Sequence, residues 1–101
     1  MSCIFCSIDK SNILLSNSKA FVIGDKYPQS RGHVLIIPFR HYENYFDSGK
    51  DELEAMNELI FKMKEQTDLK YSPKAYNINI NAGKESGQII MHAHIHLIPR
   101  Y

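Results

Sequence analysis

The feature that most restricts the fold is residues 88–98, where three of the chain's five histidines recur at every second position. Side chains of a β-strand alternate between its two faces, so this spacing predicts a strand with His92, His94 and His96 on one face. The residues between them are apolar and would occupy the opposite face. The segment therefore predicts a half-buried strand whose open side is a row of imidazoles.

A second alternating segment covers residues 76–81, which read Tyr-Asn-Ile-Asn-Ile-Asn. If it forms a hairpin with the histidine strand, we expect Tyr76, Ile78 and Ile80 to face the core and the asparagines to lie beside the histidines. The connecting residues 82–87 include two glycines, which permit positive φ and let backbone amides turn toward an anion. The pattern predicts a hairpin with one polar, phosphate-compatible face.

One long helix is predicted for residues 48–69, where apolar side chains recur at helical spacing. Ser48 is the expected N-cap, with Asp51 three residues later in an arrangement that resembles a capping box. Residues 33–37 form an apolar, β-branched run closed by Pro38, which indicates a buried strand. Together these elements predict an antiparallel sheet with a helix on one face.

Composition limits the possible partners and location. The chain has 101 residues and a net charge of +1, with acidic and basic residues interspersed, so we expect one domain over 1–101 and no nucleic-acid partner. No apolar run is long enough to span a bilayer, and residues 1–6 do not resemble a signal peptide. We therefore expect a cytoplasmic protein without a membrane partner. In that setting Cys3 and Cys6 are expected to be thiols or metal ligands before a disulfide.

The predicted histidine row allows more than one chemistry. A neutral imidazole can act as a metal ligand, a general base or a nucleophile near neutral pH. Alternating histidines also occur in metal sites, so metal catalysis is a competing interpretation. No carboxylate lies on the histidine segment or on the facing asparagine segment, which favours a phosphate ligand over a catalytic cation.

Residues 92–98, His-Ala-His-Ile-His-Leu-Ile, resemble the H-φ-H-φ-H-φ-φ signature of the histidine triad (HIT) family of nucleotide-binding hydrolases and transferases. The similarity extends to residues 31–41, which resemble the family's G-H-x-L-x-x-P-x-x-H block, and to the strand and loop at 76–83. The C-x-x-C at residues 3–6 resembles the start of many bacterial members. The resemblance implies an α+β fold of the HIT type, with an antiparallel sheet of about five strands and one long helix packed on one face.

The resemblance also implies catalytic roles. His94 would be the nucleophile that attacks an α-phosphorus and forms a nucleotidyl-histidine, which water then hydrolyses. The main-chain carbonyl of His92 would hold the ring of His94 in the required tautomer. His96 and Gln88 would contact the phosphate, and His33 would complete the set of histidines.

Further positions are implied to bind the nucleotide. Asp25 matches an acidic or amide position that contacts the ribose hydroxyls, and Asn81 matches a position that lines the phosphate site. Ile89 departs from the family pattern, because a small hydroxyl residue commonly follows the motif's glutamine. This departure leaves open a nucleotide-binding module with little turnover.

The resemblance to bacterial members further implies a structural zinc ion bound by Cys3, Cys6, His41 and His92, with no catalytic metal required. The spacing of these residues by itself fits no zinc-finger pattern, and the alternative is two small buried thiols. The family also implies a homodimer whose two sheets join. The predicted function is hydrolysis, or nucleotidyl transfer, at the α-phosphate of purine nucleotidyl compounds. Substrates similar to dinucleoside polyphosphates come first, and nucleoside phosphoramidates are the alternative.

Overall fold

The computed structural model describes residues 3–101, so Met1 and Ser2 of the N-terminal stretch lie outside the described residues. Within that range five strands form one sheet: β1 (Ile13–Ser16), β2 (Ala20–Gly24), β3 (Val34–Pro38), β4 (Ala75–Asn79) and β5 (Ile95–Arg100). Their order is β1-β2-β3-β5-β4, and every neighbouring pair is antiparallel. A single long helix, α1 (Lys50–Tyr71), follows β3. The predicted α+β architecture is confirmed.

Helix α1 begins two residues later than predicted. Its N-cap is Gly49, whose N–H donates to the Glu52 carboxylate at 2.8 Å, so the reciprocal contact of a capping box comes from Glu52 and not from Asp51. Ser48 instead shares a 2.8 Å hydrogen bond with a tyrosine hydroxyl. The apolar stripe of the helix is buried against the sheet, and its buried apolar members are Met56, Leu59, Ile60 and Met63.

The central strands of the sheet are covered on both faces. One face packs on α1 through side chains such as Val22 and Ile36. The opposite face carries Leu35 and Ile37, and it is covered by the N-terminal segment, in which Phe5 is 4% exposed. The polar face is therefore narrower than the sequence predicts, because an apolar N-terminal segment occupies part of it.

Strand β5 begins only at Ile95, so His92 and His94 precede the strand. His96 pairs with Leu35 on one side and with Asn79 on the other, which places it on the face opposite α1. The predicted hairpin between the asparagine and histidine segments is thus present. The three histidines do not share one strand face as expected, because His96 alone of the three lies within the regular strand.

Strand β4 is an edge strand, and this changes the environment of its apolar residues. Ile78 is 54% exposed and Ile80 is 37% exposed, although both were expected to face the core. Helix α1 packs mainly across β1, β2 and β3. It contacts β4 through Tyr76, which packs on the core as expected and whose hydroxyl donates to Asp68 at 2.6 Å, while Ile78 and Ile80 are left exposed. Within residues 3–101, no helix has the length and hydropathy needed to cross a membrane.

Candidate active site

The structure sorts the predicted site residues into two clusters with His94 between them. The first cluster is Cys3, Cys6, His41 and His92. The second cluster is Asp25, His33 and His96. The centroid of the His94 ring lies 5.1 Å from that of His96. In the sequence, His94 follows His92 by two residues.

His92 has a defined tautomer. Its Nε2 lies 2.9 Å from the carbonyl oxygen of Pro38, and a carbonyl can only accept, so Nε2 carries the proton. The lone pair of the neutral ring is therefore on Nδ1, which faces Cys3 Sγ at 3.3 Å, Cys6 Sγ at 3.6 Å and His41 Nδ1 at 3.1 Å. His92 is fully buried, and burial is the main cause that lowers its pKa. The ring is thus held neutral with a free lone pair.

The first cluster fits a metal ion. Its four ligand atoms lie within 4.8 Å of one another, and two thiols with two imidazoles form the donor set that tetrahedral zinc prefers. The carbonyl of Pro38 accepts a hydrogen bond from Nε2, the ring nitrogen of His92 that faces away from the cluster. Histidines that bind metal ions commonly donate their other ring N–H to such an acceptor. The side chain of His92 therefore belongs to this cluster and not to a row of imidazoles.

The second cluster does not fit a metal ion in the same way. The backbone N–H of Gln29 donates to His33 Nδ1 at 3.0 Å, so the proton of the neutral ring is on Nε2. That nitrogen lies 3.0 Å from His96 Nδ1 and 3.2 Å from Asp25 Oδ2. A protonated Nε2 offers no lone pair to a cation, so a hydrogen bond joins His33 to His96 and the Asp25 carboxylate lies beside both rings.

His94 is held with one ring nitrogen free. Its Nδ1 lies 2.8 Å from the carbonyl oxygen of His92 and carries the proton, so the lone pair is on Nε2. Phe5 packs edge-on against the ring, at 5.2 Å between centroids. Burial is the main cause that lowers the pKa of His94, which favours the neutral ring at neutral pH. A neutral, oriented imidazole with a free lone pair is suited to nucleophilic attack.

The remaining predicted site residues, Asn81, Gln88 and Ile89, lie in the loop between β4 and β5. Gln88 is 4% exposed, and its amide contacts only backbone groups in this structure: it accepts from Gly83 N–H at 2.8 Å and donates to the carbonyls of Glu43 at 2.6 Å and Ile90 at 2.9 Å. Ile89 is 89% exposed. A phosphate contact by the Gln88 side chain remains a prediction.

Asn81 lies at the start of the same loop and is partly buried. Its Nδ2 is close to Gly87, where an added Cβ would stand 3.7 Å from it. Gly83 and Gly87 both have positive φ, +100° and +102°, as expected for a loop that turns backbone amides inward.

Sequence reasoning missed the residues that act through their main chain. Gln29 sets the tautomer of His33, and Pro38 sets that of His92. A backbone amide or carbonyl has no side-chain signature, although Pro38 stands at the end of a predicted strand. Phe5, which packs against two of the histidines, was visible only as the apolar residue inside the C-x-x-C.

A concave surface of about 550 Å³ lies elsewhere, between the β1–β2 turn and the start of α1. It is lined by Lys19, Phe39, Arg40 and Glu52 among others, and by none of the predicted site residues. Arg40 and Glu52 are joined there by two hydrogen bonds of 2.7 and 2.8 Å. These side chains already have partners, so the geometry of the histidines, and not the size of this cleft, identifies the candidate site.

Comparison with known proteins identifies the family of this chain. A family model described as the HIT domain matches residues 8–101. An uncharacterised HIT-like protein of Mycoplasma pneumoniae is 33% identical, over 99% of this chain and 72% of that protein. The adenosine 5′-monophosphoramidase of Schizosaccharomyces pombe is 31% identical, over 99% of this chain and 75% of that protein.

Two solved structures are also similar. A zinc-bound histidine triad family protein from Mycobacterium smegmatis has a TM-score of 0.90 and 28% identity, over 100% of this chain and 76% of that one. The diadenosine triphosphate hydrolase of Plasmodium falciparum has a TM-score of 0.88 and 29% identity, over 93% of this chain and 64% of that one. The family predicted from the histidine signature is confirmed: this chain belongs to the HIT family.

Proposed function

We propose that this chain hydrolyses purine nucleotidyl compounds at the α-phosphate through a covalent nucleotidyl-histidine on His94. The observation that carries the proposal is the 2.8 Å hydrogen bond between His94 Nδ1 and the His92 carbonyl, which leaves the Nε2 lone pair free. In the first step Nε2 forms a bond to phosphorus, and the bond from phosphorus to the leaving group breaks. In the second step water attacks the phosphorus, the P–N bond breaks, and the monophosphate is released.

The preferred substrates are compounds similar to dinucleoside polyphosphates, and phosphoramidates are the alternative. Support for the first class is the similarity to the Plasmodium falciparum diadenosine triphosphate hydrolase. Support for the second is the similarity to the Schizosaccharomyces pombe monophosphoramidase. A panel assay of AMP release from a dinucleotide, a phosphoramidate and an acyl adenylate ranks the classes.

The nucleophile is tested by His94→Gly and His94→Asn. Removal of a nucleophile usually costs several orders of magnitude in turnover while binding persists. Both variants should bind AMP and release almost none from any substrate of the panel. The parent protein, quenched during turnover with denaturant at alkaline pH, where a P–N bond survives, should show the mass of one added nucleotidyl group, and the variants should not. Near-normal turnover by His94→Gly would refute the assignment.

A binding module with little turnover is the second candidate, and the exposed Ile89 is the feature that favours it. It predicts tight AMP binding by the parent protein together with a turnover on every substrate no faster than that of His94→Gly. A measurable burst of product from the parent protein, absent in His94→Gly, would exclude this candidate.

We further propose that Cys3, Cys6, His41 and His92 bind a structural zinc ion. The donor set and the free Nδ1 lone pair of His92 support this, as does the similarity to a zinc-bound relative. With four protein ligands the ion would be coordinatively closed, so it would tie the N-terminus to the segment before β5 and take no part in the reaction.

A chelator separates this role from metal catalysis. If the ion is structural, activity and melting temperature should fall together and slowly after EDTA is added, as the ion leaves. If a catalytic metal is used, activity should fall while the melting temperature is unchanged. AMP binding is titrated in parallel to separate lost affinity from lost chemistry.

We also propose that the chain acts as a homodimer in the cytoplasm. Support for the dimer comes from the β4 edge, where Ile78 is 54% exposed and the strand has no outer neighbour within residues 3–101. Such edges are generally covered or paired. Ile78→Lys should therefore shift sedimentation toward monomer, whereas Leu14→Lys, on the opposite edge strand β1 and 51% exposed, should not. A stable monomer of the parent protein at micromolar concentration would contradict the proposal.

A further inference from the structure

The carboxylate of Asp25 is held against two histidines. Its Oδ1 accepts the Tyr27 backbone N–H at 2.8 Å, and the Asp25 backbone N–H donates to the His33 carbonyl at 3.0 Å. The other oxygen, Oδ2, lies 3.2 Å from His33 Nε2 and 3.6 Å from His96 Nδ1. The side chain is 15% exposed. The turn after β2 therefore orients one carboxylate oxygen toward both rings.

The protons on this pair of rings are also defined. Gln29 N–H donates to His33 Nδ1, so His33 carries its proton on Nε2 and donates it to His96 Nδ1 at 3.0 Å. In the neutral state His96 then has its own proton on Nε2. The ring of His96, which carries this proton, lies beside the ring of His94, with 5.1 Å between the two ring centroids.

A second proton on His96 would enter at Nδ1 and would face the N–H of His33 across 3.0 Å. Two facing donors repel unless an acceptor lies between them. Asp25 Oδ2 lies 3.2 Å from His33 Nε2 and 3.6 Å from His96 Nδ1, so its negative charge is placed to offset the imidazolium. The structure thus provides a counter-ion for a doubly protonated His96 next to a neutral His33.

We propose that Asp25 is a positioning residue that lets His96 act as the acid for the leaving group, in addition to any contact with ribose. This inference rests on the proposed function. In the first step His96 Nε2–H passes to the leaving atom as its bond to phosphorus breaks, and His96 keeps the proton on Nδ1. In the second step the attacking water returns a proton to His96 Nε2, and the P–N electron pair returns to His94. Each proton that leaves His96 is replaced within one turnover.

The surroundings of the pair identify Asp25 as the group that favours the doubly protonated ring. The titratable and charged groups that face it are Asp25 after β2, His33 before β3, His94 before β5 and Arg100 at the end of β5. Burial and then His33 lower the pKa of His96 below its ordinary value, and Asp25 opposes this shift in part. Of these groups, Asp25 is the one that carries a negative charge.

Asp25→Asn tests the proposal, because it keeps an oxygen that can accept the Tyr27 N–H and removes the charge. General acid catalysis typically contributes about 10²–10⁴-fold, so we expect kcat to fall by at least about tenfold. The proposed role does not depend on the ribose hydroxyls. The decrease in kcat should therefore be equal for the ribonucleotide and the 2′,3′-dideoxyribonucleotide forms of the same substrate. The basic limb of the kcat–pH profile should move to lower pH. Asp9→Asn, an exposed aspartate at a 3₁₀ cap, is the matched control and should change neither quantity.

A measurement without nucleotide tests the same idea independently of activity. The ring resonances of His96, followed by NMR against pH, should titrate at lower pH in Asp25→Asn than in the parent protein and in Asp9→Asn. Asp25→Ser, whose hydroxyl can also accept the Tyr27 N–H, is the second variant in case Asp25→Asn folds poorly.

Two results would overturn the proposal. One is an unchanged titration of His96 in both Asp25 variants. The other is a rise in KM confined to substrates with ribose hydroxyls, with kcat unchanged for the dideoxy form, which would assign Asp25 to ribose alone. If the parent protein hydrolyses no substrate, the proposed function fails, and the nucleotide-free titration still decides the role of Asp25.

Discussion

The ring of His94 and the main chain of His92 are joined by a 2.8 Å hydrogen bond, while the side chain of His92 lies in the cluster with Cys3 and Cys6. One residue thus connects the candidate metal site with the candidate nucleophile. The side chain of His92 is set by Pro38 and the cluster, and its carbonyl sets the tautomer of His94. A displacement of the His92 side chain in the cluster is therefore expected to shift the His92 carbonyl and with it the ring of His94.

The first prediction concerns metal content. Protein purified without added zinc should contain about one zinc ion per chain, because the four ligands form one closed site. Removal of the ion should lower the melting temperature and also slow AMP release, since the His92 carbonyl would lose its fixed position. Cys6→Ser should reproduce both effects in protein that was never exposed to chelator. Absence of zinc, with melting unchanged on chelation, would contradict the prediction.

The second prediction concerns Ile89. A hydroxyl at this position would add a donor near the phosphate, and one such donor typically contributes about 10²–10³ in turnover. Because other donors can compensate, we expect Ile89→Thr to raise kcat by roughly tenfold with little change in KM. Ile89→Val keeps the β-branch without the hydroxyl and should match the parent protein. Equal rates for the threonine and valine variants across the panel would show that Ile89 does not face the phosphate.

The third prediction concerns the start of α1. The Glu52 carboxylate accepts from Gly49 N–H and from the Arg40 guanidinium, and the Arg40 hydrogen bond is the main cause that lowers the pKa of Glu52. The stability that Glu52 contributes is fully present at a pH above its ordinary pKa of 4.5. It is lost as the pH falls through the lower pKa that Glu52 has in the folded protein. At neutral pH, Glu52→Gln should cost about 1–2 kcal/mol in urea unfolding. Glu54→Gln, exposed on the same helix, should cost much less.

The fourth prediction concerns His33 and pH. The ring is 3% exposed, and burial is the main cause that lowers its pKa from 6.5. The unfolded chain therefore binds a proton more readily than the folded chain, so protonation favours unfolding. The contribution of His33 to stability should be constant above about pH 6.5 and should decrease as the pH falls below it.

Urea unfolding of the parent protein and of His33→Gln, from about pH 7.5 to about pH 5.5, measures this effect. The parent protein should lose more stability over the range than the variant, which has no ring to protonate. A slope that is the same in both proteins would show that His33 does not contribute to the pH dependence.

Much of the architecture followed from local patterns. Alternation in residues 76–81 predicted β4, and the apolar run at 33–37 predicted β3, because the faces of a strand repeat every two residues. The stripe of apolar residues predicted α1 to within about two residues at each end. The histidine signature predicted the family, which the comparison confirmed.

The sequence by itself predicted β3, β4, the long helix and the family, and the resemblance to that family implied the residues that form both clusters. Only the tertiary structure decided how they are used: that the side chain of His92 faces the cysteines, that Gln88 binds backbone groups, and that Ile78 of β4 is left exposed. The physical reason is that these outcomes depend on partners far apart in the chain. The carbonyl of Pro38 lies 54 residues from His92, and a main-chain group has no side-chain signature by which a pattern could reveal it.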